Sequence, residues 1–238
     1  MPSETVAFLF FTFWVRLYVA KPTKKNIKAL QNFLLDWYEK NGRDFPWRKR
    51  RISHYKIVIA ETLLQRTKAE TVSTFYSDFI EEFPNWEHLA SADVNRLEKS
   101  LRPIGLYRQR AKRLKLLATE MVKRNGQLPR EREDLESIPF IGQYIANAVE
   151  LVAFNEPSPL IDVNMSRLLE RYFGPRKMAD IRYDPYLQEL SMKVVSHENA
   201  REINWSILDF AAQICKAKNP RCAECPLRVD CIYYQKQL

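Results

Sequence analysis

Apolar positions recur every three to four residues along most of the chain, the period of a helix that buries one face. In TKKNIKALQNFLLDWYEKNG the spacing is carried by Ile27, Leu30, Phe33, Leu34 and Trp37, and Gly42 ends it. SHYKIVIAETLLQRTKAETVSTFYSDFIEEFP holds two helical runs, although YKIVIA alone is apolar enough to read as a short strand. Ser91 is the expected N-cap of a helix through Leu101. YRQRAKRLKLLATEMVKRNG is an amphipathic, basic helix. A turn at SIPFIG then opens a helix to Phe154. The Pro-containing loop NEPSPLID, the helix VNMSRLLERYFG and further helices lead to four C-terminal cysteines. The chain has only five glycines, which punctuate: Gly42, Gly126 and Gly174 end helices, Gly105 separates two helical patterns, and Gly142 lies in the turn. No convincing period-two run and no internal repeat appear, so the predicted class is all-α.

Composition adds a partner. Hydrophobic residues make up 46% of the 238 positions, enough for a sizeable core, and 38 basic against 29 acidic side chains leave a net charge of +9. That balance favours a polyanion, most often nucleic acid. RDFPWRKRR ends in four consecutive cations, Arg48, Lys49, Arg50 and Arg51, which read equally as a solvated face or part of such a patch. VAFLFFTFWVRLYVA at 6–20 is interrupted by Arg16 and too short for a transmembrane span. It lacks the basic start and small-residue cleavage site of a signal peptide. Residues 1–21 are therefore expected to be a docked or disordered extension, with a membrane-surface segment as the second reading. No membrane association is expected of the chain after residue 21.

Cys215, Cys222, Cys225 and Cys231 fall within 17 residues as C-x6-C-x2-C-x5-C. Clustered at one end around a C-x2-C step, they favour a metal site over two disulfides. Four thiolates suit zinc or a [4Fe–4S] cluster. Zinc ribbons usually carry two C-x2-C knuckles, and the 6-2-5 spacing wraps one loop around a bulky cube more naturally.

With these cysteines placed after the IPFIG turn, the chain resembles the endonuclease III superfamily of helix–hairpin–helix DNA glycosylases from about residue 24 to 238. FPWR (45–48), AETLLQRT (60–67), IGLYRQRA (104–111), IDVNMSRLL (161–169) and NWSILDFAAQIC (204–215) are similar to the branch holding MutY-type adenine glycosylases and archaeal thymine–guanine mismatch glycosylases. The resemblance implies two helical lobes with a DNA-binding cleft between them. One is a six-helix barrel over 48–156, with the helix–hairpin–helix at about 133–154. The other is an iron–sulfur cluster domain of residues 22–47 and 157–238. It also implies a [4Fe–4S] cluster on the four cysteines, structural and DNA-binding in role.

The same resemblance distributes roles. A helix–hairpin–helix holds a phosphate through backbone N–H groups and a helix dipole, here at Ile141, Gly142 and Gln143. The family usually has glycine at position 140, in the pattern L-P-G-V-G. Phe140 departs from it and is expected to sit at negative φ, with Gly142 supplying space and permissive dihedrals. Asp162, a helix N-cap by its own sequence context, matches the essential aspartate. Tyr144 stands where strand-cleaving relatives carry lysine, whose amine forms a Schiff base that a phenol cannot. Glu61 lies amid apolar residues and is either paired or functional. Gln65 and Arg66 match the loop that fills the gap left by an extruded nucleotide, and Asn164 is a phosphate-contact or supporting position.

The function expected is a monofunctional DNA glycosylase of base excision repair. It would hydrolytically remove thymine, and uracil, mispaired with guanine, without strand cleavage. The enzyme is expected to act as a monomer on mismatched double-stranded DNA in the cytoplasm, at the nucleoid. The chain stops seven residues after Cys231, where MutY-type enzymes generally carry a further 8-oxoguanine-reading domain. A short adenine glycosylase acting on A·8-oxoG or A·G is the alternative within the class. A catalytically inactive iron–sulfur DNA-binding protein is the alternative outside it.

Overall fold

The computed structural model describes residues 22–237, so the apolar segment 6–20 lies outside it. Among the described residues there are twelve α-helices and three 3-10 turns, and the all-α expectation holds. The helices are α1 Lys24–Asn41, α2 His54–Leu64, α3 Ala69–Glu82, α4 Trp86–Ser91, α5 Val94–Leu101 and α6 Tyr107–Lys123. They continue as α7 Arg132–Glu136, α8 Gln143–Val152, α9 Val163–Phe173, α10 Pro185–Val195, α11 Ala200–Gln213 and α12 Ile232–Gln235. No described helix is long and apolar enough to cross a membrane.

Two hydrophobic cores organise the helices. The larger runs from Phe45 and Trp47 through α2–α8, with Phe79, Leu97, Leu114 and Ile145 buried at its centre. The second gathers α1, α9, α10 and α11 around Leu30, Leu34, Leu169, Ile203 and Phe210. A small cluster of Ala148, Leu151, Leu160 and Ala200 joins them where α8 meets α11. α2 is the central helix of the larger core. Its residues Tyr55 and Ile57–Leu63 are all buried, the polar Glu61 and Thr62 among them, so no solvent-facing polar stripe remains to give it helical periodicity. That is why YKIVIA looks strand-like in the sequence, although it folds as helix.

Helix ends follow local chemistry. The Thr23 side chain caps α1, accepting from the Asn26 N–H at 3.2 Å. An added Cβ on Gly42 would stand 2.6 Å from the Tyr38 carbonyl oxygen, so only glycine closes α1 this tightly. Ser91 does not cap a helix running to Leu101. It ends α4, its hydroxyl donating back to the Glu87 carbonyl, and the cap of α5 is Asp93, which accepts from the Arg96 N–H at 3.0 Å. A short helix and a two-residue break replace one continuous run.

The loop between α8 and α9 is extended and carries no helical bonds of its own. Two buried asparagines hold it. Asn147 of α8 donates to the Pro159 carbonyl at 2.6 Å. Asn204 of α11 accepts from the Leu160 N–H at 2.8 Å and donates to the Ser158 carbonyl at 3.2 Å. The start of α9 is thereby fixed against both cores.

Candidate functional site

A cavity of about 430 Å³ opens where the two cores meet, and Glu61, Tyr144, Asp162 and Asn164 all line it. Each arrives from a different place in the chain. Glu61 projects from the buried face of α2, Tyr144 from the first turn of α8, and Asp162 and Asn164 from the start of α9. Arg48, Trp205, Leu160 and Leu208 complete its inner wall.

Glu61 is 8% exposed, and its Oε2 is buried with no hydrogen-bond partner. Burial pushes its carboxyl up to about 7, helped by the negative charge of Asp162. The Arg48 charge and the Tyr144 phenol act in the opposite direction without cancelling this. Tyr144 is held well above its ordinary range by burial and then by the two carboxylates, so it stays a neutral phenol. Asp162 accepts from the N–H groups of Asn164 and Met165, both at 2.8 Å on Oδ1. Oδ2 accepts from the Asn164 side-chain amide at 2.6 Å. One oxygen therefore caps α9 while the other is oriented by its neighbour. Burial raises the Asp162 carboxyl, against the hydrogen bonds of Met165 and Asn164 and the charge of Arg167.

Arg167 ties this corner to the cysteine loop. It donates to Asn164 Oδ1 at 3.0 Å, to the Cys215 carbonyl at 2.8 Å and to the Ala211 carbonyl at 2.9 Å. The orientation of Asp162 thus depends, through Asn164 and Arg167, on the backbone beside the first cysteine.

The basic run RKRR does not act as one patch. The Arg48 side chain is 7% exposed and forms an ion pair with the fully buried Asp209 at 2.8 Å. Its guanidinium carbon also lies 5.0 Å from the Phe45 ring centroid and 5.5 Å from that of Trp205. Asp209 binds Arg43 as well, at 2.6 Å. Neither Arg48 nor Asp209 was a sequence candidate. The signal was present in NWSILDFAA, since a carboxylate amid apolar residues of a helix demands a partner.

Gln65 and Arg66 stand exposed on the turn after α2 and do not line the cavity, although their neighbours Leu64 and Thr67 do, and Arg66 has φ 60°. The turn is held from below by Arg110, which donates to the Leu63 carbonyl at 3.0 Å and the Gln65 carbonyl at 2.8 Å. Arg110 reads in sequence as one more cation of a basic helix, yet it is 7% exposed.

At the hairpin, the Ile141 N–H donates to the Ile138 carbonyl at 3.1 Å, closing the turn. Gly142 is the N-cap of α8 and offers no side-chain cap, so the first N–H groups of the helix have no protein acceptor there. The expectation about its dihedrals is reversed. Phe140 has φ 70° and Gly142 has φ −94°, so the left-handed residue of the turn is the phenylalanine. The tight closure requires a left-handed residue at 140 whatever its side chain. Gly142 is instead a place of open space: a Cβ added there would meet nothing within 4 Å. Ile141 is buried, and the Gln143 side chain donates to Gln188 of α10 at 3.0 Å.

Cys215, Cys222, Cys225 and Cys231 are free thiols, which removes the disulfide reading. All four line one pocket whose other walls include Leu168, Phe210 and Leu227. Among the described residues no group of three His, Cys, Asp or Glu side chains is arranged to hold a metal ion. The four thiols nevertheless share one pocket, and four soft sulfur donors are the chemistry of a zinc or an iron–sulfur centre alike. Arg171 donates to the Cys215 sulfur at 3.4 Å and lies over the Tyr233 ring at 4.6 Å.

Residues 59–198 match the model of the HhH-GPD superfamily base excision DNA repair protein family. The chain is 38% identical to a thymine-DNA glycosylase of Aeropyrum pernix, over 89% of this chain and 96% of the relative. It is 38% identical to a thymine/uracil-DNA glycosylase of Pyrobaculum aerophilum, over 91% and 96%. Among solved structures it is similar to a thermostable thymine-DNA glycosylase with a TM-score of 0.82 and 32% identity, over 89% of this chain and 98% of that one.

Proposed function

This chain belongs to the HhH-GPD superfamily of base excision DNA repair proteins, and on that premise we propose that it removes thymine, and uracil, mispaired with guanine. It is a DNA glycosylase, a hydrolase of N-glycosyl bonds acting on DNA. The observation that carries the reading is the convergence of Glu61, Tyr144 and Asp162 on one cavity between the two cores.

The chemistry follows from the three environments. A base inside a duplex is out of reach, so the target nucleotide must leave the stack and enter the cavity. As the glycosidic bond breaks, its electron pair goes to the base and positive charge develops on the sugar. Asp162, its Oδ2 directed by Asn164, supplies the stabilising negative charge. Glu61, poised near neutrality, presents the unpartnered Oε2 to the base edge or to the attacking water. Water adds to the sugar, a proton is released, and an abasic site remains. Tyr144 packs beside both carboxylates and, having no amine, forms no Schiff base. We therefore assign a glycosylase without strand cleavage.

On this reading DNA runs across the mouth of the cavity. The uncapped start of α8 at Gly142 and Gln143 takes a phosphate, and Gln65 and Arg66 face the gap left by the extruded nucleotide. We assign residues 48–156 to the helical barrel, and 22–47 with 157–238 to a cluster domain. There Cys215, Cys222, Cys225 and Cys231 would hold a [4Fe–4S] cluster, whose bound state would stiffen the loop that Arg167 and Arg171 grip. We assign a monomer acting at the nucleoid.

The test is a panel of duplexes carrying T·G, U·G and A·8-oxoguanine, scored by alkali cleavage, with Asp162→Asn as control. Cleavage of T·G and U·G that depends on Asp162 is expected. Cleavage of the adenine duplex alone would transfer the assignment to an adenine glycosylase, and no cleavage at all would leave a DNA-binding protein.

A further inference from the structure

Phe140 combines a left-handed backbone with a large side chain. Its φ is 70° and 37% of its surface is exposed. Glycine at this position would relieve the backbone strain and keep the closing hydrogen bond from Ile141 to Ile138. Full burial does not explain the side chain, since more than a third of its surface remains exposed. What the ring meets is a cation: the guanidinium carbon of Arg113, on α6, lies 5.5 Å from its centroid.

Arg113 makes no ion pair among the described residues. Its neighbour one turn away is Arg110, another guanidinium, and the exposed Lys112 adds a third positive charge to this part of α6. Burial, and then the charge of Arg113, pull Arg110 below its ordinary range, so the two cations repel. An arginine without an anion, beside a second arginine and stacked on a ring two residues before the uncapped start of α8 at Gly142, is arranged to receive an anion from outside.

We propose that Arg113 binds a DNA phosphate next to the one held by the hairpin, and that Phe140 is the residue that positions its guanidinium there. A guanidinium can lie over an aromatic face and still direct its N–H groups outward to a phosphate. The glycine usual in the family at this position would leave Arg113 without that support, so the phosphate-binding surface of this chain is wider than the hairpin alone. The proposal rests on the assignment of the hairpin to DNA.

The experiment is fluorescence anisotropy of the full-length protein with a labelled duplex carrying one T·G mispair, at several sodium chloride concentrations. Arg113→Gln is expected to weaken binding about tenfold at low salt and to make the slope of log affinity against log salt shallower by about 0.9. Phe140→Leu, which keeps a side chain on the left-handed residue but removes the ring, is expected to weaken binding roughly threefold. The double variant should bind no worse than Arg113→Gln, with thermal unfolding showing all three folded. Unchanged affinity and slope in Arg113→Gln would overturn the proposal. So would an equal loss on adding Phe140→Leu to Arg113→Gln, because the ring would then touch DNA itself. Gly142→Glu separates the two levels: normal binding by that variant removes the hairpin assignment, whereas its failure beside a normal Arg113→Gln removes only the role of Arg113.

Discussion

Glu61 and Asp162 lie within one cavity, yet their surroundings assign them different work. Asp162 is held by three hydrogen bonds to its own helix start, while Glu61 has an oxygen with no partner and a carboxyl pushed up to about 7. Asp162→Asn is expected to lower single-turnover base release by about 10²- to 10³-fold or more. It should leave the fold intact, because asparagine caps a helix nearly as well as aspartate. Circular dichroism and thermal melting check the second half. For Glu61 the sign of the pH effect is fixed by linkage. Its folded value lies above the ordinary 4.5, so between about pH 4.5 and 7 the folded state binds a proton that the unfolded state has lost. Stability contributed by the neutral acid is full below about 4.5 and falls as pH rises towards 7, by on the order of 3 kcal/mol for a fully buried group. Glu61→Gln is expected to flatten this decline in urea-unfolding curves taken across that range.

At the scale of elements, the hairpin and the helix caps make separable predictions. Phe140→Gly removes the left-handed side chain and is expected to stabilise the protein by about 1 kcal/mol in urea unfolding, although the same change removes the support of Arg113. Asp93→Ala should cost about 1 kcal/mol as the lost cap of α5, whereas Ser91→Ala should cost a few tenths. Comparable losses in both would restore the single-helix reading. How legible the elements were varied for physical reasons. α1, α6 and α9 bury one face, so their period survives in the sequence. α2 is buried on all sides and has no period to show. The α4–α5 break was missed because Ser91 and Asp93 are equally good caps by residue type, and only the packing of α4 on α6 decides between them. The sign of φ at position 140 was missed because it depends on how tightly the turn closes.

For the whole molecule, the decisive contacts join segments distant in sequence. Asn204 is fully buried and fastens the loop before Asp162 to α11. Asn204→Ala leaves the Leu160 N–H without its acceptor and is expected to cost about 2–3 kcal/mol. It should also reduce turnover, because Asp162 loses its fixed approach; parallel unfolding and single-turnover measurements check both. The cysteine loop, linked to Asp162 through Arg167 and Asn164, tests the proposed cluster: with a [4Fe–4S] cluster bound, the purified protein should absorb visible light and Cys225→Ser should lose that absorbance and weaken DNA binding, whereas a colourless wild-type protein would remove the cluster assignment.

The sequence by itself determined the helical class and the quartet of cysteines, because periodicity and spacing are local properties; it singled out Glu61, Tyr144 and Asp162 only through a family resemblance, and the tertiary structure brings the three to one cavity. The sequence could not show that Arg48 leaves its basic run to pair with Asp209, that Arg110 holds the turn after α2, or that Glu61 is poised near neutrality. Those facts belong to the tertiary structure alone. The charge state of a side chain depends on how far it is removed from water and on which distant charges arrive beside it, and both are fixed only when the two cores close around the cavity.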